Sequence, residues 1–274
     1  MKKEFGNPLI LPPFKGRIHP EYDHPNFKQS ITNCHGLLKD SSCKILLDSR
    51  NRIGIFNASL DNGKTTDVVI KEFYTYGINK LKSTFISSKA LKSWRGSNAL
   101  LEREIKTPLP IAYLEKRKSI FLDQSFFLSE MEKDVEEIRG LFLKLPDDEL
   151  REILKSLASF LSYCHTKGIL HRDLSDGNIL VRKTESNKFV FNLIDTNRIR
   201  IKKRIGLLQG IKNLIRLGVP DLYHRFFLEN YLGVPNVKRV LWFWYKMNKN
   251  SYTWFIEFKK ALRLKQLARK IKIQ

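Results

Sequence analysis

The chain has 274 residues, 42% of them apolar and 11% aromatic, which suits one large domain or two modest lobes and excludes disorder as the default. Its net charge is +22, and residues 199–274 hold 18 Lys or Arg against three acids, Asp221, Glu229 and Glu257, contributing +15. Such a block suits an anionic partner (nucleic acid, lipid headgroups, a phosphorylated sugar) or a solvated basic surface; no reading motif for nucleic acid accompanies it, so none is expected.

Residues 1–43 are rich in Pro, His and Asn and read as an irregular lead-in, with no apolar run of signal-peptide length. From Lys44 the pattern turns β-like. Ile45–Leu47, Ile53–Phe56 and Val68–Phe73 read as strands, separated by the turn sequences Asp48-Ser49-Arg50-Asn51-Arg52 and Asp61-Asn62-Gly63. Residues 88–105 read as a helix with Ala90, Leu91, Trp94, Leu100 and Leu101 at apolar positions, ended by Thr107-Pro108. Ile111–Leu114 and Phe126–Ser129 read as two more strands. Beyond Glu130 the period changes. Leu150, Ile153, Leu154, Leu157, Leu161 and Cys164 form a helical stripe, with acids at its start and Gly168 where a C-terminal cap belongs. After Asp195 the chain reads as mostly helical. The expected organisation is a lead-in over 1–43, a small antiparallel-sheet lobe with one helix over 44–128, and a mostly helical lobe over 129–274 that ends in a basic segment. The fold class is therefore α+β and bilobal.

Cys34, Cys43 and Cys164 are odd in number and lack C-x-x-C spacing, so they are expected as reduced thiols in a cytosolic setting, without a zinc site. No uncharged apolar span reaches membrane-crossing length, so the protein is expected to be soluble or peripheral.

One stretch carries chemistry. His171-Arg172-Asp173-Leu174-Ser175-Asp176-Gly177-Asn178 is followed, after one hairpin, by Leu193-Ile194-Asp195 at the end of an apolar strand. In the protein-kinase template the first Asp takes the acceptor hydroxyl's proton, while the Asn and the second Asp hold Mg²⁺ on the nucleotide. That assigns Asp173, Asn178 and Asp195 to catalysis, with Asn178 and Asp195 as metal ligands for Mg²⁺ and ATP as the phosphate donor. Lys71, closing Val68-Val69-Ile70-Lys71 in the third strand, matches the lysine that holds the α- and β-phosphates. No G-x-G-x-x-G lies between the first two strands. There Arg50 or Arg52 either supplies a guanidinium to phosphate oxygens or is part of a solvated turn. The backbone of Glu130 and Met131, at the change from sheet to helix, is the expected adenine contact. A helix Glu to pair with Lys71 is not securely placed; Glu102 and Glu104 fall late in the helix.

These residues resemble the Kdo/WaaP-type lipopolysaccharide-core kinases, within the protein-kinase-like fold. The likeness rests on Lys71, Ser88-Lys89-Ala90, Trp94, the run Ile105–Glu115, Phe127-Leu128-Ser129-Glu130, the catalytic loop and Leu193–Arg198, roughly residues 44–230. It implies an ATP- and Mg²⁺-dependent kinase acting on a Kdo or heptose hydroxyl of the lipid A-linked core oligosaccharide, at the cytoplasmic face of the inner membrane. Asp173 would be the base, Asn178 and Asp195 the metal ligands, and Lys71 the phosphate anchor. Ser93 stands before Trp94 where some members carry the helix Glu, and Asp195-Thr196-Asn197 replaces D-F-G.

Two other functions compete: a protein Ser/Thr or Tyr kinase, and a nucleotide-binding pseudokinase. No A-P-E follows Asp195, and Ser175 stands where Ser/Thr kinases place a Lys near the transferring phosphate; both favour a small acceptor. Retention of Lys71, Asp173, Asn178 and Asp195 argues against a pseudokinase. The basic segment Phe258–Ile273, with Lys259, Lys260, Arg263, Lys265, Arg269, Lys270 and Lys272, is expected to meet the anionic inner-membrane surface. Trp242, Phe243, Trp244 and Tyr245 are either interfacial aromatics or core.

Overall fold

The computed structural model describes residues 5–49, 51–60, 63–74, 83–185 and 188–261. The chain divides into two compact units, one built from residues 1–102 and 107–133 and the other from 103–106 and 134–274. Arg50, the Asp61-Asn62 turn and the basic residues from Arg263 onward lie outside the described residues.

The first unit is built on a seven-stranded sheet. Its strands are β1 (Asn7–Leu11), β2 (Phe14–Ile18), β3 (Lys44–Asp48), β4 (Asn51–Ser59), β5 (Thr65–Phe73), β6 (Pro110–Lys118) and β7 (Phe121–Glu130), in the order β1-β2-β6-β7-β5-β4-β3. All neighbours pair antiparallel. The expected lead-in over 1–43 is not irregular in its described part, residues 5–43, which supplies β1, β2, α1 (Pro25–Ser30) and α2 (Cys34–Leu37). Leu9, Phe14, Ile18, Tyr22, Phe27, Ile31 and Cys34 from this segment are buried with Phe56, Ala58, Val68, Ile70, Phe126 and Leu128. Burial of well-spaced apolar side chains overrides the prolines that made the segment look structureless.

Side chains alternate between the two faces of a strand, and directly paired residues share a face. One face of the sheet carries Phe56, Val68 and Ile70 and is covered by the N-terminal helices. The other is met by α3 (Lys89–Leu101), which packs on β6 and β7, with Trp94 against Tyr113 at 5.9 Å between ring centroids. Ser88 caps α3, its Oγ accepting from the Leu91 N–H at 2.9 Å. The helix ends at Leu101, four residues before the sequence expectation; Glu104 already has φ +61.

The second unit contains β8 (Glu136–Glu137), α4 (Ile138–Lys144), α5 (Asp147–Thr166), β9 (Ile169–His171), β10 (Ile179–Lys183), β11 (Phe189–Leu193), β12 (Ile199–Ile201), α6 (Leu207–Leu214), α7 (His224–Leu232) and α8 (Arg239–Ala261). The predicted stripe of α5, Leu150 to Cys164, is buried. Three acids in its first turn oppose the helix dipole. Gly168 leaves the helix at φ +75, where an added Cβ would stand 2.1 Å from the Lys202 carbonyl oxygen, so both conformation and contact require glycine. β9 pairs with β12, and β10 pairs with β11 and β8.

Cys34, Cys43 and Cys164 are all unbridged and buried. Burial pushes the Cys34 and Cys164 thiols well above their ordinary range, so both are inert. Among the described residues no helix is long and apolar enough to cross a membrane.

Candidate active site

β9 delivers His171 into the core of the second unit, and the chain then turns through Arg172–Ser175 into a short 3₁₀ turn, Asp176–Asn178. Asn178 leads into β10, whose antiparallel partner β11 returns to Leu193 opposite Ile179. The Ile194 N–H donates to the Asn178 carbonyl oxygen at 3.1 Å. A five-residue loop and one hairpin therefore bring Asp173, Asn178 and Asp195 to the same end of one small sheet. Asp195 sits in the left-handed region, φ 55 and ψ 47, a conformation that Asp tolerates better than most residues. Its Oδ1 accepts from Asn197 Nδ2 at 3.1 Å.

His171 ties the two halves together. Its Nε2 bonds the Ile194 carbonyl oxygen at 3.0 Å and its Nδ1 accepts the Asp173 N–H at 3.2 Å. One partner can only accept and the other can only donate, so the ring is neutral with its proton on Nε2. Burial, the largest influence, also lowers its pKa. Asn178 Nδ2 donates to the Asp173 carbonyl oxygen at 2.8 Å, which fixes the loop across its own span.

A second set of partners, not singled out in the sequence, holds this frame from behind. Asn213 on α6 donates from Nδ2 to the His171 carbonyl oxygen at 2.9 Å and accepts at Oδ1 from His165 Nε2 at 3.0 Å. His165 Nδ1 in turn accepts from the Tyr231 hydroxyl of α7 at 2.7 Å. Burial lowers the His165 pKa, consistent with the neutral ring this chain of donors and acceptors needs. Gly210 lets Tyr231 approach: a Cβ there would stand 2.2 Å from the hydroxyl oxygen.

Both oxygens of Asp173 meet guanidinium groups. Arg198 Nη1 lies 3.0 Å from Oδ2, and Arg216 Nη1 donates to Oδ1. Arg216 Nη1 also donates to the Arg172 carbonyl oxygen at 3.1 Å, and its guanidinium lies 5.5 Å from the Tyr252 ring centre of α8. Arg139 Nε bonds Asp176 Oδ2 at 3.2 Å. Gly218 makes room for that carboxylate, since a Cβ would be 2.8 Å from Oδ2.

In the first unit, Lys71 lies in β5, paired with Ile53 and Phe127, its Nζ 5.2 Å from the Phe73 ring centre. Arg52 pairs across from Glu72 instead, so it shares the opposite face and its Nε reaches Asp48 at 3.4 Å. Strand alternation thus puts Arg52 and Lys71 on opposite faces of the sheet. Glu130 and Met131 close β7, but their N–H groups are already bonded to the carbonyl oxygens of Leu109 and Asp67, each at 2.9 Å. The Tyr22 hydroxyl donates to the Glu130 carboxylate, and burial together with that carboxylate pushes the phenol's pKa up. The Glu130 and Met131 N–H groups thus tie the end of β7 to neighbouring backbone. α3 contains no carboxylate; Glu102 is its C-cap and Glu104 pairs with Lys167 at 3.1 Å.

Asn178 and Asp195 offer only oxygen donors once the Asn178 nitrogen is spent on Asp173, which suits a hard divalent cation. Among the described residues no group of three or more His, Cys, Asp or Glu is placed to hold a metal. Two protein ligands match Mg²⁺, which takes few side chains and shares its shell with water and phosphate. The residues fit the ion.

A family model described as the lipopolysaccharide kinase (Kdo/WaaP) family matches residues 60–221. The chain is 29% identical over 154 residues to mitogen-activated protein kinase 4 of Oryza sativa subsp. japonica, covering 55% of this chain and 40% of that one. It is 46% identical over 46 residues to sperm motility kinase 2B of Mus musculus, covering 17% and 10%. The chain thus spans less than half the length of these curated relatives. The solved structure of WaaP in complex with acyl carrier protein superimposes with a TM-score of 0.56 at 16% identity, over 87% of this chain and 97% of that one, a likeness of fold. With more than half its length matched by the family model, the chain belongs to the lipopolysaccharide kinase (Kdo/WaaP) family.

Proposed function

We propose that this chain transfers the γ-phosphoryl group of ATP to a sugar hydroxyl, Kdo or heptose, of the lipopolysaccharide inner core at the cytoplasmic face of the membrane. The observation that carries this reading is the frame in which neutral His171 joins the Asp173 loop to the Ile194-Asp195 turn. Asp173 takes the acceptor's proton as its oxygen forms a bond to the γ-phosphorus and the bridging oxygen leaves with ADP. Asn178 and Asp195 would hold Mg²⁺, whose contribution is to neutralise phosphate charge. Lys71 anchors the α- and β-phosphates. Fixing these groups before reaction lowers the barrier by positioning and by stabilising developing charge.

The membrane side of the reading is supported by α8. One face of the helix carries Tyr245, buried, and Lys249, whose Nζ bonds the Leu217 carbonyl oxygen at 2.7 Å. Val240, Phe243, Met247, Trp254 and Phe258 recur at three-, four- and seven-residue spacings and are exposed, Phe243 by 68% and Trp254 by 63%. Arg239, Lys246, Lys259 and Lys260 flank them. An exposed apolar stripe with basic flanks suits an anionic lipid interface.

A protein acceptor is the second reading, favoured by the protein-kinase relatives. Radiolabelled ATP offered with Kdo–lipid A, heptosylated core and a generic protein substrate separates the two. Label is expected in a glycolipid; label confined to protein contradicts the proposal.

A further inference from the structure

Asp173 is the group assigned to accept a hydroxyl proton, yet each of its oxygens is already engaged by a guanidinium. Arg216 occupies Oδ1 and Arg198 occupies Oδ2. Two guanidiniums against one carboxylate leave a unit of positive charge beside the position an acceptor hydroxyl must reach. Both arginines are partly open to solvent, with side-chain exposures of 33% and 51%. Each has N–H donors beyond those spent here, since a guanidinium carries five and the bonds described leave from Nη1 alone. Arg216 is also held from behind, by the Tyr252 ring and by its bond to the Arg172 carbonyl oxygen. It is therefore preorganised toward Asp173 rather than swinging in solvent.

We infer that Arg198 and Arg216 form an oxyanion-binding site for the acceptor, and that a carboxylate or phosphate borne next to the reacting hydroxyl displaces Asp173 from the pair and frees it to take the proton. The inference rests on the phosphotransferase reading and adds to it a specificity rule: acceptors lacking that anion leave the base clamped. Exchange of one oxyanion for another on the same guanidiniums conserves charge pairing, so it costs little, whereas a neutral acceptor would have to strip Asp173 of two ion pairs without replacement. Arg198 and Arg216 are thus positioning residues that gate the base by their partner.

The test has two arms, both on the full chain. In the first, inorganic phosphate is titrated without nucleotide while the side-chain Nε–H NMR signals of Arg198 and Arg216 are followed. Both should shift saturably, and Asp173→Asn, which removes the competing charge at nearly constant shape, should tighten binding by about threefold or more. Signals that stay in place, or an affinity that Asp173→Asn leaves unchanged or weakens, overturn the inference. In the second arm, transfer to Kdo–lipid A is compared with its carboxyl methyl ester and its dephosphorylated form. Loss of the anion that meets the pair should lower kcat/KM by about tenfold or more, identifying carboxylate or phosphate as the source. That penalty should shrink to within about threefold in Arg216→Gln, or in Arg198→Gln should the first variant not fold. Equal use of all three acceptors by the native chain overturns the inference. If none takes label while phosphate still competes with Asp173 for the pair, the lipopolysaccharide reading fails and the anion site stands.

Discussion

Asp173, Asn178 and Asp195 were legible in the sequence because the geometry that joins them is local: five residues of loop and one short hairpin. Their supports were not. Arg216 reaches Asp173 across 43 residues and Asn213 reaches His171 across 42, and neither sits in a motif. The face that Arg52 takes was not legible either, since a turn sequence does not say which side of the sheet the next side chain meets. The buried imidazoles carry a consequence for pH. His165 and His171 both have pKa values held below the ordinary 6.5 by burial, so the folded chain keeps them neutral while the unfolded chain charges them. Stability is therefore complete above about pH 6.5 and declines as pH falls below it, each ring contributing a slope of up to about 1.4 kcal/mol per pH unit until its folded pKa is reached. Melting temperature should drop between about pH 7 and pH 5, and the drop should lessen in His165→Gln. A melting temperature flat across that range contradicts the neutral-imidazole frame.

Among elements, strands β3 to β7 were recognisable from their β-branched and apolar runs, and α5 from its stripe and its glycine cap. β1 and β2 were hidden because Pro12-Pro13 divides two five-residue strands in which only Leu9, Phe14 and Ile18 are buried. α3 stops four residues short of the end its sequence suggests: Glu102, Arg103 and Glu104 favour helix by propensity, while the chain turns at Glu104 instead. Sequence alone also left the Trp242–Tyr245 cluster undecided. Tyr245 is core, Trp242 stacks on it, and Trp244 donates to the Leu208 carbonyl oxygen at 3.1 Å, whereas Phe243 faces outward. Lipid contact thus falls on the stripe that includes Phe243 and Trp254, not on the whole cluster. The double substitution Phe243→Asp, Trp254→Asp should reduce partitioning onto phosphatidylglycerol vesicles by about tenfold or more in sedimentation, with native binding weakened by added salt. Undiminished binding by the double variant would remove α8 from the account.

At the scale of the molecule, a protein-kinase-like α+β fold was readable from the order of strands, helix and helical region, and the family match agrees with it. The charge of +22 has a use under the proposal, because ATP, an anionic glycolipid and an anionic lipid surface all bring negative charge to one chain. Size and composition could not reveal that the N-terminal residues complete the sheet, since that depends on pairing β2 with β6, nearly a hundred residues further along. The central claim is that Asp173 and Asp195 divide the chemistry between proton acceptance and Mg·ATP binding. It is tested most directly by measuring label transfer from ATP to Kdo–lipid A alongside Mg·ATP affinity for the native chain, Asp173→Ala and Asp195→Ala. The account predicts that Asp173→Ala abolishes transfer with Mg·ATP affinity within about threefold of native, and that Asp195→Ala weakens Mg·ATP binding itself. Undiminished transfer in either variant would contradict it.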